Sequence, residues 1–270
     1  MRKNLNVTIV GGGFGGVKAA LELAKDRTNR ITLISDKTDF QYYPALFSAA
    51  TGHDHRQSWV PLEAIFEGKT NVTLVHDSIT AIDTSAHLLT GSRSYHYEDV
   101  ILALGSVTTY FGIEGLDTYS YGIKSQDEIK RLQAHLWDEM SDGRDDEKHY
   151  VIIGAGPTGV ELAGALGEYL RLLRRQFGIK KKRVAINLIE AAPRVLPRSS
   201  ESTSRRAMRR LKKLGVHVEV NKKVEKQTAN ELMVNGRPLP TQTVIWTSGV
   251  MNAPFFKANE AELPLNDRGK

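Results

Sequence analysis

"VIIGAGPTGVELAGALGEY" (residues 151–169) passes from an apolar strand pattern through three glycines into a helical pattern, and "VTIVGGGFGGVKAAL" (7–21) does the same. The two leading glycines, Gly11 and Gly154, stand 143 residues apart. In the earlier copy Leu5, Val7, Ile9 and Val10 make a buried-type strand, Gly11, Gly13 and Gly16 come next in G-x-G-x-x-G spacing, and "GVKAALELAK" continues as a helix. The later copy has the strand "YVII", then Gly154, Gly156 and Gly159, then an amphipathic helix from about Thr158 to Phe177. Each glycine has its own reason. The first permits a tight turn, the second lets backbone approach a pyrophosphate, and the third allows close helix–strand packing, while the helix N-terminus points free N–H groups at the phosphates.

A second strand and an acid after each helix complete the pattern. The first helix leads to the strand "RITLIS" and then Asp36, twenty residues beyond Gly16, where a carboxylate would hold ribose hydroxyls. The second leads to "VAINLI" and then Glu190, thirty-one residues beyond Gly159, the extra length being taken up by a longer helix and the "GIKKKR" turn. A carboxylate at that place accepts a hydrogen bond from a 2′-hydroxyl and repels a 2′-phosphate, which favours NAD over NADP; Arg194 nearby weighs the other way. Two such units imply two dinucleotide sites, and two redox dinucleotides exchange electrons without a reactive protein side chain.

Composition narrows the class. The 270 residues are 40% hydrophobic and 25% charged, ordinary for a globular chain of one or two domains. No apolar run reaches the ~18 to 20 residues of a membrane span, and the N-terminus enters strand-like alternation directly, so neither a transmembrane helix nor an ordinary secretory leader is expected. With no cysteine there is no disulfide framework, no Cys-ligated metal and no thiol chemistry. The net charge of +6 is uneven: residues 171–183 carry seven Lys/Arg and no acid, residues 194–213 carry eight against one Glu, and the remainder sums to −8. Such a patch fits an anionic surface, or equally the solvated outer faces of helices whose Leu172, Leu173, Phe177, Met208, Leu211 and Leu214 recur at helical spacing. No aromatic-plus-basic pattern of a nucleic-acid module accompanies it, so no nucleic-acid partner is expected. His53 and His55 flank Asp54 in a loop without further ligands, and no metal site is expected. Trp246 reads as core.

The fingerprints, together with "DVILALGS" (99–106) and "TVIWTSGV" (243–250), resemble the two-dinucleotide-binding-domain flavoproteins, the pyridine nucleotide-disulfide oxidoreductase family. Within it the chain is similar to type II NADH dehydrogenases. The stretches that carry this are "FQYYPALFSAATG" (40–52), "LALGSVTTYFGIEGLDTYSYGIKS" (102–125), "GAGPTGVELAGALGEYL" (154–170) and "LIEAAPRVLP" (188–197). The resemblance implies an α/β fold of two Rossmann-like domains, each a parallel sheet with helices, holding FAD at the first loop and NADH at the second. It implies an FAD-dependent NADH:quinone oxidoreductase that is non-proton-pumping and peripheral on the cytoplasmic side of the membrane. It leaves a homodimer open. Thiol-dependent relatives are disfavoured, since only Tyr43, Pro44 and Ala45 stand where redox cysteines would be. One departure is expected to matter: the family's later Gly-Asp motif and its C-terminal quinone-site and membrane-docking part do not appear before "LPLNDRGK", so the chain reads as C-terminally truncated, and as given it is expected to hold FAD weakly or not at all and neither to dock on a membrane nor to reduce quinone.

By this resemblance the first-site contacts are Gly11, Gly13, Phe14, Gly15, Gly16, Asp36, Lys37, Thr51, Ile79, Ala103, Leu104 and Gly105. Those of the second are Gly154, Gly156, Pro157, Thr158, Gly159, Glu161, Glu190, Ser248 and Gly249. Ile79 reads equally as a plain strand residue. Glu161 is the candidate catalytic side chain, accepting or relaying the proton of quinone reduction; the other reading is an acid that complements the positive helix end. The expected organisation is an FAD-binding domain over 1–115, a linker with the start of the NAD domain over 116–149 including a helix around Gln126 to Met140, an NAD(H)-binding domain over 150–242, and over 243–270 an incomplete return to the FAD domain. Two other functions are compatible with these residues. One is a soluble NADH-dependent reductase of a ferredoxin- or rubredoxin-like carrier, and the other is a non-catalytic NAD-binding sensor.

Overall fold

A computed structural model describes residues 4–142, 147–179 and 184–266. The 180–183 part of the basic segment, the 143–146 part of the charged connector and residues 267–270 lie outside the described residues. The chain divides into two compact units, one of Met1–Tyr42, Arg56–Val107 and Val250–Lys270, the other of Tyr43–His55 and Thr108–Gly249. Tyr43–His55 thus group with the second unit, although they fall inside the expected span 1–115.

In the first unit four parallel strands lie in the order Val72–His76, Arg30–Ser35, Asn6–Val10, Asp99–Leu102. The helix Phe14–Leu23 connects the first two in sequence and buries Gly16, Val17 and Ala20. These pack on Val7, Ile9, Ile31 and Leu33, alternate strand residues that share the face of the sheet the helix covers.

The second unit repeats that topology: Val216–Glu219, Val184–Ile189, Lys148–Ile153, Thr243–Trp246, again all parallel. Its crossover helix, Pro157–Gln176, buries Leu162, Leu166, Leu170 and Leu173 at i, i+4, i+8 and i+11. Leu172 is a correction to the helical reading of the basic segment. It lies one residue off this stripe, about 100° round the helix, and is 59% exposed. The helix expected around residues 126–140 forms as Gln126–Ser141. A capping box starts it, in which Ser125 Oγ accepts from Glu128 N and the Glu128 carboxylate accepts from Ser125 N. Trp246 is core, 4% exposed.

Each unit also inserts a three-stranded antiparallel meander between its third and fourth parallel strands. One comprises Ala81–Asp83, Leu88–Thr90 and Ser94–His96, the other Val224–Gln227, Glu231–Val234 and Arg237–Pro240. Beyond Val250 the chain packs in the first unit, where Phe255 joins Val10, Ile34, Ile79, Ile82 and Leu89. Asn259 fastens this segment to the meander: its amide oxygen accepts from Ile82 N at 3.1 Å and its amide nitrogen donates to Thr80 O at 3.1 Å. Among the described residues no helix is long and apolar enough to cross a membrane, and no group of three or more His, Asp or Glu side chains is placed to hold a metal.

Candidate functional site

The two glycine loops are built by the same hydrogen bonds. Gly11 N donates to Ile34 O and Gly154 N to Ile189 O, both at 2.8 Å, tying each loop to the end of the neighbouring strand. On the other side Ala103 N donates to Val10 O at 2.7 Å and Thr247 N to Ile153 O at 3.0 Å. Each loop therefore sits at the carboxyl ends of the strands where the strand order reverses, the place at which open α/β sheets bind ligands.

The glycines divide the work as their spacing predicts. Gly11 and Gly154 hold φ of +114° and +101°, a backbone that a side chain would strain. A Cβ on Gly16 would overlap the carbonyl oxygen of Gly11, and one on Gly159 would overlap that of Gly154. By contrast a Cβ on Gly13 or Gly156 would meet nothing within 4 Å. The middle glycine of each loop thus faces open space in front of a helix N-terminus.

Those N-termini are also unlike the chain's other long helices. Ser125 and Ser200 cap Gln126–Ser141 and Glu201–Lys213 with side-chain hydrogen bonds, whereas Gly13 and Gly156 have no side chain to offer and no acid occupies either first turn. A cradle with open space at its second glycine and uncapped amides fits a dinucleotide pyrophosphate.

Around the first loop, Gly15 faces Ala103, whose methyl would be 3.6 Å from a Cβ there. Phe14 is 46% exposed at the helix start. Asp36 and Lys37 are exposed just past the Arg30–Ser35 strand, Lys37 N donating to Ser35 Oγ at 3.1 Å. Leu104 packs beside the Val10–Ile34 core and Gly105 turns with φ +70°. Ile79 is 7% exposed in that core. Thr51 belongs to the second unit, where its hydroxyl donates to Phe47 O and Ser48 O and closes a short helix.

Around the second loop lies a cleft of about 530 Å³ that contains Gly154, Glu190, Lys222, Phe111, Trp246 and Ser248 in its walls. Glu190 buttresses the loop: one carboxylate oxygen accepts from Ala155 N at 2.7 Å and the other from Ala192 N at 2.8 Å. Two of its four lone-pair sites remain for further donors. The Arg194 guanidinium donates to the carbonyls of Leu196, Pro197 and Ser199, which takes up three of its five N–H groups. Pro157 and Thr158 open the helix. Ser248 Oγ donates to Ile153 O at 3.3 Å, and Gly249 turns with φ +76°.

Glu161 is not in that cleft. It lines a separate one of about 340 Å³ with Phe47, Glu168, Arg210, Leu211 and Leu214. Burial raises its carboxyl above the usual carboxylate range. Composition and motif carry no signal for Lys222 and Lys223 on the cleft edge, nor for Lys124, whose amine donates to Gly249 O at 3.4 Å and is pushed below its ordinary value by burial. Their positions follow from the meander and from the helix cap, which short-range patterns do not specify.

Residues 5–270 match the family described as pyridine nucleotide-disulphide oxidoreductase. The type II NADH:quinone oxidoreductase Ndh of Mycobacterium tuberculosis is 29% identical over 287 residues, covering 98% of this chain and 62% of that protein. NdhA of the same organism, also a type II NADH:quinone oxidoreductase, is 31% identical over 272 residues, covering 93% and 58%. NDH2 of Plasmodium falciparum, solved in complex with NADH, superposes with a TM-score of 0.86 at 18% identity, over 99% of this chain and 59% of that one. The chain thus spans about three fifths of the length of these relatives.

Proposed function

The chain belongs to the pyridine nucleotide-disulphide oxidoreductase family, and from that premise we propose that it carries the NADH- and FAD-binding units of a type II NADH:quinone oxidoreductase. The observation that carries the reading is the pair of matched cradles, each with an uncapped helix N-terminus and an open middle glycine. The names of the curated relatives support it, and so does the absence of any cysteine, which removes the thiol chemistry of other branches.

Gly11, Gly13 and Gly16 with Asp36 hold FAD, and Gly154, Gly156 and Gly159 with Glu190 hold NADH. Bound there, the two groups supply the redox chemistry, hydride from the nicotinamide and a two-electron acceptor in the flavin that passes electrons to quinone. The protein's own residues orient and select. Backbone amides at the two helix starts neutralise pyrophosphate charge, and the Glu190 carboxylate accepts from a ribose 2′-hydroxyl while repelling a 2′-phosphate. Glu161, with its carboxyl raised by burial, holds or relays a proton for quinone reduction. The reading includes docking of the whole protein on the cytoplasmic face of the membrane that holds the quinone.

The test is NADH oxidation by the FAD-loaded protein at the full length of its relatives with a short-chain quinone, compared with a small ferredoxin-type carrier. Quinone-dependent turnover with NADH, and little with NADPH, is expected. Turnover with the carrier and none with quinone would assign the chain to the soluble reductases instead.

A further inference from the structure

Phe111 combines properties that a plain loop residue does not need together. It holds φ +54°, and Gly112 after it holds φ +71°. The left-handed region is costly for a bulky side chain and persists only where the surroundings impose it. Here they do. Phe111 N donates to Thr109 Oγ1 at 3.2 Å, Thr109 O accepts from Trp246 Nε1 at 2.9 Å, and Ile113 N donates to Tyr110 O at 3.0 Å. This scaffolding does not bury the ring, which is 66% exposed.

The ring has a defined seat. A Cβ at Gly249 would lie 2.5 and 2.6 Å from its carbons, so Gly249 is a glycine both for its own φ of +76° and to leave room for Phe111. The edge of the ring meets Trp246 with centroids 6.1 Å apart at 67°. From there Phe111 forms part of the wall of the 530 Å³ cleft that also holds Gly154 and Glu190. Glu190 comes after the second strand of the sheet, on the adenosine side of a dinucleotide; Phe111 and Trp246 stand at the fourth strand, across the point where strand order reverses. That is the side on which the second half of a dinucleotide lies.

We propose that Phe111 is a positioning residue that packs its exposed ring against the nicotinamide ring of bound NADH and fixes that ring's orientation in the cleft. The proposal rests on the reading of the second glycine loop as the NADH site. The dihydronicotinamide ring of NADH is conjugated and nearly planar though not aromatic, so it packs flat on a phenyl face, and such a ring contact adds affinity beyond that of an aliphatic side chain of the same area. The strain at Phe111 then has a use, since it presents a rigid ring to the ligand.

Calorimetric titration of the full, FAD-loaded chain with NADH and with ADP-ribose, which lacks the nicotinamide, tests this. Phe111→Leu is expected to weaken NADH about 5- to 10-fold and to leave ADP-ribose unchanged, and Phe111→Tyr is expected to restore NADH affinity. Phe111→Gly, which accepts φ +54° without strain, keeps the thermal midpoint of the parent and loses NADH affinity like Phe111→Leu, which separates a binding role from a folding one. Unchanged NADH affinity in Phe111→Leu, or equal losses for both ligands, would overturn the proposal. If the parent chain binds neither ligand, the NADH reading itself falls and the proposal falls with it.

Discussion

Gly13 and Gly16 differ in what surrounds them, and the difference predicts opposite consequences for one added methyl. Gly16→Ala places a Cβ on the carbonyl oxygen of Gly11, backbone against backbone, and should destabilise the first unit by about 3 kcal/mol or more, read as a lowered thermal midpoint without ligand. Gly13→Ala meets nothing within 4 Å at φ −85°, so the ligand-free midpoint should hold while FAD affinity drops at least about tenfold. Retained FAD affinity in Gly13→Ala would remove that glycine from the site. Glu161 gives a second pair of outcomes. An acid whose carboxyl is raised by burial destabilises the fold once ionised, so its contribution worsens as pH rises from the ordinary 4.5 through the folded value. Glu161→Gln should therefore be at least as stable as the parent at neutral pH. At the full length of the relatives it should lower quinone turnover at least about 100-fold while flavin reduction by NADH persists; full quinone turnover would remove Glu161 from the reaction. Among single residues the glycines were legible because their spacing is itself the geometry. The Ala155 amide on Glu190 and the seat of Phe111 were not, because those partners lie elsewhere in the chain; the hold of Arg194 on the carbonyls of Leu196, Pro197 and Ser199 was not, because it depends on how the short turn after it folds.

Among the elements, the helix Gln126–Ser141 is bound to the fourth strand of its sheet by a polar cluster that should respond to pH. His135 Nε2 lies 2.7 Å from Thr243 Oγ1 and 3.5 Å from the Glu139 carboxylate, and its ring stacks on Tyr121 at 4.6 Å. Thr243 Oγ1 also meets Glu139 Oε2 at 3.0 Å. Burial lowers the imidazole below its ordinary 6.5; Glu139 and Asp138 oppose that shift and Arg131 and Lys148 add to it. Because the unfolded chain takes up this proton more readily, stability is full above about pH 6.5 and declines as pH falls through the folded value. Amide exchange in this helix, monitored from about pH 8 to about pH 5, should show the loss in the parent and not in His135→Gln; identical profiles would contradict it. The long helices and parallel strands were readable because their apolar periodicity extends over many residues. The meanders, with strands of three or four residues, are too short for a period to declare itself, and their partners are set by pairing within the insertion.

For the chain as a whole, the segment after Val250 is fastened to the first unit by Asn259. Asn259→Ala would leave Ile82 N without its partner in a buried place and release Thr80 O, at a cost of about 1–3 kcal/mol; an unchanged unfolding midpoint would mean that the segment adds little. The two sheets share one topology because the same strand–glycine–helix–strand grammar was written twice, and so the fold was legible almost entirely from the two fingerprints and their acids. The grouping of Tyr43–His55 with the second unit was not, since Thr51 and its neighbours lie between strands of the first in sequence and only tertiary packing decides their side. If the two cradles serve one redox reaction, the anaerobic visible spectrum of the purified chain loaded with FAD, recorded before and after NADH and, separately, NADPH, reports it without any acceptor present. Bleaching of the oxidised flavin band by NADH and not by NADPH is the predicted result. A chain that binds NADH while its flavin band stays unchanged, or that takes up no flavin at all, would contradict it.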